Sequence, residues 1–191
     1  MKQMSKRRKQ GGFILGYVLL GVLLISVVIA AIARANSGPS PQANAESNKM
    51  YAATVIKIGN DLRDGAIRYS SDRDINSMTL DTTSGTGLYD PALALANEVK
   101  VPSKATTAGA GDVAFALDKT NITVTSMGSS AAEVAVEASG LTAGVCAAIN
   151  NVLYGDSVTT AIPTTVGIRQ EGCAALTTPA GNTYYKVVQP G

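Results

Sequence analysis

The sequence predicts an α+β protein: an N-terminal membrane helix, then a second, amphipathic helix packed on an antiparallel β-sheet, with one disulfide. Three observations carry this. An uncharged apolar run follows a basic N-terminus, the hydrophobic period switches from about 3.6 residues to 2 along the chain, and two cysteines lie near the C-terminus. A chain of 191 residues has room for one domain of ordinary size beside such a helix. Its 16 Lys+Arg and 14 Asp+Glu are unevenly spread. Lys2, Lys6, Arg7, Arg8 and Lys9 precede the apolar run, and every acid lies beyond Arg34, so the body is acidic. An acidic body argues against nucleic acid as the main partner, because phosphate binding needs clustered Lys and Arg. With no histidine in the chain, Ser-His-Asp and Cys-His nucleophiles and the common zinc sites are excluded.

The first element is the run GGFILGYVLLGVLLISVVIAAIA, uncharged from Gly11 to Ala33. From Phe13 onward its 21 residues reach about 31 Å as a helix, close to the hydrocarbon thickness of a bilayer. The basic cluster before it and the acidic body after it place the N-terminus in the cytoplasm and export everything beyond Arg34. Three readings of the run stand side by side. It is a cleaved secretory signal, with Ala33-Arg34-Ala35 as an A-x-A-like site but an apolar run longer than usual. Or it is a plain single-pass anchor. Or it is a signal cut at the glycine that ends the basic leader. Small residues at Gly16, Gly21, Ser26 and Ala30, together with Tyr17, are the positions expected to pack helix against helix.

Residues 36–43, NSGPSPQA, form a Pro/Gly linker that breaks the helix, and residues 44–191 form the exported head. In the head, Tyr51, Val55, Ile58, Leu62, Ala66 and Tyr69 recur at steps of three and four, one face of an amphipathic helix. Gly59 and Gly65 each cost this helix about 1 kcal/mol relative to alanine, so it needs packing to persist. The stretch from Ser70 to Asp112 reads as loop, with a short turn or strand in Leu93–Val99. Alternation then begins. Val113, Phe115 and Leu117 share a face, Ile122, Val124 and Met127 follow loosely, and Val134 and Val136 oppose Glu133 and Glu137. These are expected to be antiparallel strands with one buried face and the two glutamates in solvent. Thr142 or Ser139 caps a helix carrying Leu141, Val145, Ile149 and Leu153, and Gly155 ends it. Thr165–Arg169 and Thr183–Val188 read as two further strands.

Cys146 and Cys173 are the chain's two cysteines, and in an exported protein a pair reads as a disulfide. Closing that loop stabilises by about 3–4 kcal/mol in the chain-entropy model. A reactive thiol or metal pair is the poorer reading, without CxxC, histidine or an activating basic helix terminus. Gly109-Ala-Gly111-Asp-Val-Ala114 fits a relaxed glycine fingerprint, but a loop precedes it and alternation follows, so it reads as a turn. No catalytic, cofactor-binding or metal residue is expected, and the chain is not read as an enzyme.

The basic leader KRRKQGG, the Phe13 that follows it and some twenty apolar positions resemble a type IV prepilin signal. The strand EVAVEASGL, the cysteine-bearing helix TAGVCAAINNVL, Cys173 and the strand NTYYKVV resemble the C-terminal region of type IVb pilins. The resemblance implies that residues 1–12 are a leader removed by prepilin peptidase after Gly12. Phe13 becomes the N-methylated first residue, and helix 13–35 serves first as an anchor and then as the filament core. It implies a structural subunit of a type IV pilus (fimbrium) or secretion pseudopilus. Its partners would be other pilin subunits and the inner-membrane assembly platform, its precursor an inner-membrane protein with a periplasmic head, its destination an extracellular filament. The chain departs from the family at the fifth mature position, where most pilins carry glutamate and this chain has Tyr17; some minor pilins at filament tips also lack the acid, which the resemblance accommodates as a minor pilin. The alternative is an anchored, exported binding or adhesion domain that does not polymerise.

Overall fold

The computed structural model describes residues 41–107, 112–124, 133–157, 161–178 and 180–189. The leader, the membrane helix 13–35 and Met127 lie outside them, as do Gly12, Phe13, Gly16, Tyr17, Gly21, Ser26 and Ala30. Among the described residues no helix is long and apolar enough to cross a membrane.

The stripe of small and apolar residues at helical spacing forms α1, Pro41–Ser70. The first described residue, Pro41, is already helical, so residues 41–43 of the expected linker belong to this helix. Val55, Ile58, Leu62, Ala66 and Tyr69 are buried, while Lys57 and Asp61 pair in solvent at 2.9 Å. The two glycines that weaken the helix are where other chain segments press on it. At Gly65 a Cβ would stand 2.9 Å from the carbonyl of Leu95, which also accepts a 2.7 Å hydrogen bond from Arg68 Nη2.

The Ser/Thr-rich segment after α1 is a packed excursion. Asp74 caps a single 3-10 turn, Ile75–Ser77, by accepting from the backbone N–H of Asn76. Met78 and Leu88 are fully buried and anchor the loop between them. Asp81 accepts the backbone N–H of Thr83 within that loop, and Asp90, just beyond it, accepts those of Gly85 and Ala92, which holds both carboxyls below their usual range. In Leu93–Val99 a turn ends at Leu93, Ala94 sits at φ 48°, and the rest has no regular secondary structure, so no strand forms there.

Two short strands, β1 (Lys100–Val101) and β2 (Val113–Ala114), pair with each other. The chain then passes Phe115 and enters a second sheet as β3 (Ala116–Asp118). The expected alternation holds through this passage, with Phe115 buried and its neighbours more open, but one run of residues serves two sheets. β4 (Val134–Leu141), β5 (Glu171–Thr177) and β6 (Ala180–Gln189) complete an antiparallel sheet in the order β3-β4-β6-β5. Helix α2, Ala143–Tyr154, is capped by Thr142, whose hydroxyl accepts from Val145 N at 3.2 Å. Ser139, the other expected cap, lies within β4. Gly155 ends α2 in the left-handed conformation at φ 71°.

Two expectations are corrected. Thr165–Arg169 is a turn: Gly167 sits at φ 66°, and Arg169 is drawn to Asp156 at 2.6 Å and over the Tyr154 ring at 4.0 Å. The strand lies just beyond, as β5. The sheet is also buried on both faces rather than one. Val134, Val136, Ala138, Cys173 and Tyr184 share a core with α1 and α2. On the other side Ala135, Ala174, Tyr185 and Val187 pack with Ile122, Val124 and Val166 from the flanking loops.

Candidate functional site

The strongest sequence-derived site is present. Cys146 on α2 and Cys173 on β5 form a disulfide, with Cα atoms 5.3 Å apart. Both residues are buried. β5 is an edge strand, and α2 covers it with one further side chain: Asn150 Nδ2 donates to the Cys173 carbonyl at 2.9 Å while its Oδ1 accepts from Cys173 N at 3.0 Å. Ala175 N, two residues on, donates to the Pro163 carbonyl at 2.7 Å. The edge is thereby paired with groups from outside the sheet.

A second cluster, absent from the sequence reading, lies between the sheet and α1. Lys186 on β6 stands directly opposite Glu171 on β5, and the two side chains pair at 2.6 Å. Lys186 is 8% exposed. Its Nζ also donates to Oδ1 of Asn60 on α1, and Tyr184 donates its hydroxyl to Glu171 Oε1 at 2.8 Å. Burial, and then the Glu171 carboxylate, push the Tyr184 hydroxyl far above its ordinary range, so it remains a donor. Gly59 makes this meeting of helix and sheet possible: a Cβ there would collide with the Tyr184 hydroxyl and come within 2.7 Å of its ring. The sequence carried one clue, a lone lysine in Tyr-Tyr-Lys-Val-Val. Glu171 gave less, since Gly172, Ala174 and Ala175 are too small to mark a strand by alternation.

The glutamates expected in solvent are the third cluster, and their environment is the clearest correction. Glu133 is fully buried, because residues 119–124 lie over it: Glu133 N donates to the Ile122 carbonyl, and Val124 N donates to Glu133 Oε2, both at 2.8 Å. Glu137 is half-buried, near Asp118 on the neighbouring strand. Burial and the adjacent Asp118 charge push Glu137 up to about 7. Asp118 Oδ1 accepts from Thr120 N and Asn121 N. Asp118 Oδ2, Glu133 Oε1 and Glu137 Oε2 are buried without a hydrogen-bond partner.

An open groove of about 600 Å³ runs along α1 beside residues 94–99, bordered by Lys57, Asp61, Asp64 and Arg68. Among the described residues no group of three or more His, Cys, Asp or Glu could hold a metal ion. The Asp72 and Asp74 region is a turn, in which Asp74 is the cap already described. Comparison with protein-family models, with curated proteins and with solved structures finds no match.

Proposed function

We propose that the chain is a type IV pilin-like subunit, nearest the type IVb group, whose work is structural rather than catalytic. Residues 1–12 are the leader, prepilin peptidase cuts between Gly12 and Phe13, and Phe13 is N-methylated. Helix 13–35 holds the precursor in the inner membrane and later packs with like helices in the core of an extracellular filament or pseudopilus. The observation that carries this reading is the leader itself: a basic cluster closed by Gly11-Gly12 and followed at once by Phe13 and an uncharged run. The head supports it, with α1 packed along an antiparallel sheet and the C-terminal disulfide tying α2 to an edge strand.

Mass spectrometry of the mature N-terminus tests the proposal. A chain beginning at methylated Phe13 supports it. An intact Met1 would point to a plain anchor, and a start at Asn36 to a secreted protein. Tyr17 favours one second reading, an anchored exported binding domain that never polymerises, because a tyrosine cannot neutralise the terminal amine of a neighbouring subunit. Deleting the gene and counting filaments separates the roles: a major subunit leaves none, whereas normal filaments in its absence exclude that role.

A further inference from the structure

We propose that Lys186 and Asn60 are joined by a spontaneous intramolecular isopeptide bond, with Glu171 as the proton-transfer group. The inference stands apart from the filament reading and rests on three groups brought together from three elements. The amine of Lys186 contacts the Asn60 carboxamide, and the Glu171 carboxylate holds the same amine at 2.6 Å. The amine is shielded, since only 11% of the Lys186 side chain and 16% of that of Glu171 are exposed. Asn60 lies at the exposed rim of α1, which leaves the departing group a way out.

The groups are also held still. Tyr184 fixes the other oxygen of Glu171, and Phe115 packs edge-on against the Tyr184 ring with centroids 6.0 Å apart. The sheet register sets Lys186 between Val136 and Glu171, and Gly59 lets the helix approach closely enough for its next residue to reach the amine. Reactants held in contact in this way gain the advantage of an intramolecular reaction over a bimolecular one.

The chemistry balances without a co-reactant. The Lys186 ammonium passes one proton to the Glu171 carboxylate. The freed Nζ lone pair attacks Cγ of Asn60, a C–N bond forms, and the bond from Cγ to Nδ2 breaks. The second Nζ proton moves through Glu171 to Nδ2, which leaves as ammonia. An ammonium, a carboxylate and a primary amide become a secondary amide, a neutral acid and ammonia. A shielded ion pair is thereby replaced by neutral groups, which removes the cost of keeping two charges away from water.

The mature wild-type protein decides the matter. After reduction of the disulfide, its intact mass should fall short of the sequence mass by one ammonia. Trypsin should then release a branched peptide joining residues 58–63 to residues 170–191, with no cleavage at Lys186. Asn60→Asp should lose one water instead, and Lys186→Arg and Glu171→Gln should keep their full mass. An unmodified wild-type mass overturns the proposal. So does ammonia loss without the branched peptide, which would mark a succinimide at Asn60, or loss that persists in Lys186→Arg.

Discussion

The two faces of the four-stranded sheet bury polar groups by opposite means. On the face toward α1, Lys186, Glu171, the Tyr184 hydroxyl and Asn60 form one connected set in which each charge meets its complement. On the other face Asp118, Glu133 and Glu137 are all acids, and each keeps one buried oxygen without a hydrogen-bond partner. A buried polar group is inexpensive when its hydrogen bonds are made and costly when they are not. Substitutions on the first face should therefore cost stability, and a neutralising substitution on the second should raise it.

The largest effect is expected where the first face is covalently closed. Replacing Cys146 and Cys173 with alanine should lower unfolding free energy by about 3–4 kcal/mol, read from urea denaturation beside wild type. Next comes the edge contact beside it. Asn150→Ala leaves the Cys173 N–H and carbonyl unpaired, and should cost about 2 kcal/mol by the same measurement. Gly59→Ala gains helix propensity but drives a methyl into the Tyr184 ring, which Phe115 and Glu171 keep from yielding. A net loss of about 1 kcal/mol follows, and any gain in melting temperature would show that α1 can slide off β6.

The smallest effect breaks the symmetry of the comparison. Glu137 has a folded-state value of about 7, above its ordinary 4.5, so between those values the folded state binds more protons than the unfolded state. Stability must then fall as pH rises through that window. Glu137→Gln should raise the melting temperature at about pH 8 and leave it unchanged at about pH 4. Equal melting temperatures at the higher pH would mean that the outer face satisfies its carboxylates as well as the inner one does.

Local chemistry made much of the fold legible. The steps of three and four from Tyr51 to Tyr69 mark α1, and the Thr142 cap with the left-handed Gly155 brackets α2. Tyr184 and Tyr185 alternate across β6 as a period of two requires, one toward each core. What escaped reading depends on segments distant in sequence. Glu133-Val-Ala-Val-Glu137 has the pattern of a strand with one wet face, and nothing in those five residues tells that Ile122 and Val124 will cover the other. β5 was hidden because Gly172, Ala174 and Ala175 are small, and the turn at Thr165–Arg169 took its place because β-branched residues mimic a strand. Of the site, the cysteine pair was legible from a count of two in a chain expected to be exported, but the meeting of Asn60 with Lys186 spans 126 positions and leaves no local trace.

The carboxamide of Asn150 has a consequence for crowding. A bare outer strand offers its peptide groups to any passing chain, and identical molecules held side by side are the worst case. By standing in for a neighbouring peptide at Cys173, this side chain makes the rim of the sheet behave as if it were interior. In the filament proposed above, where copies would line up at very high local concentration, heads could then touch through side chains without zipping together through their backbones.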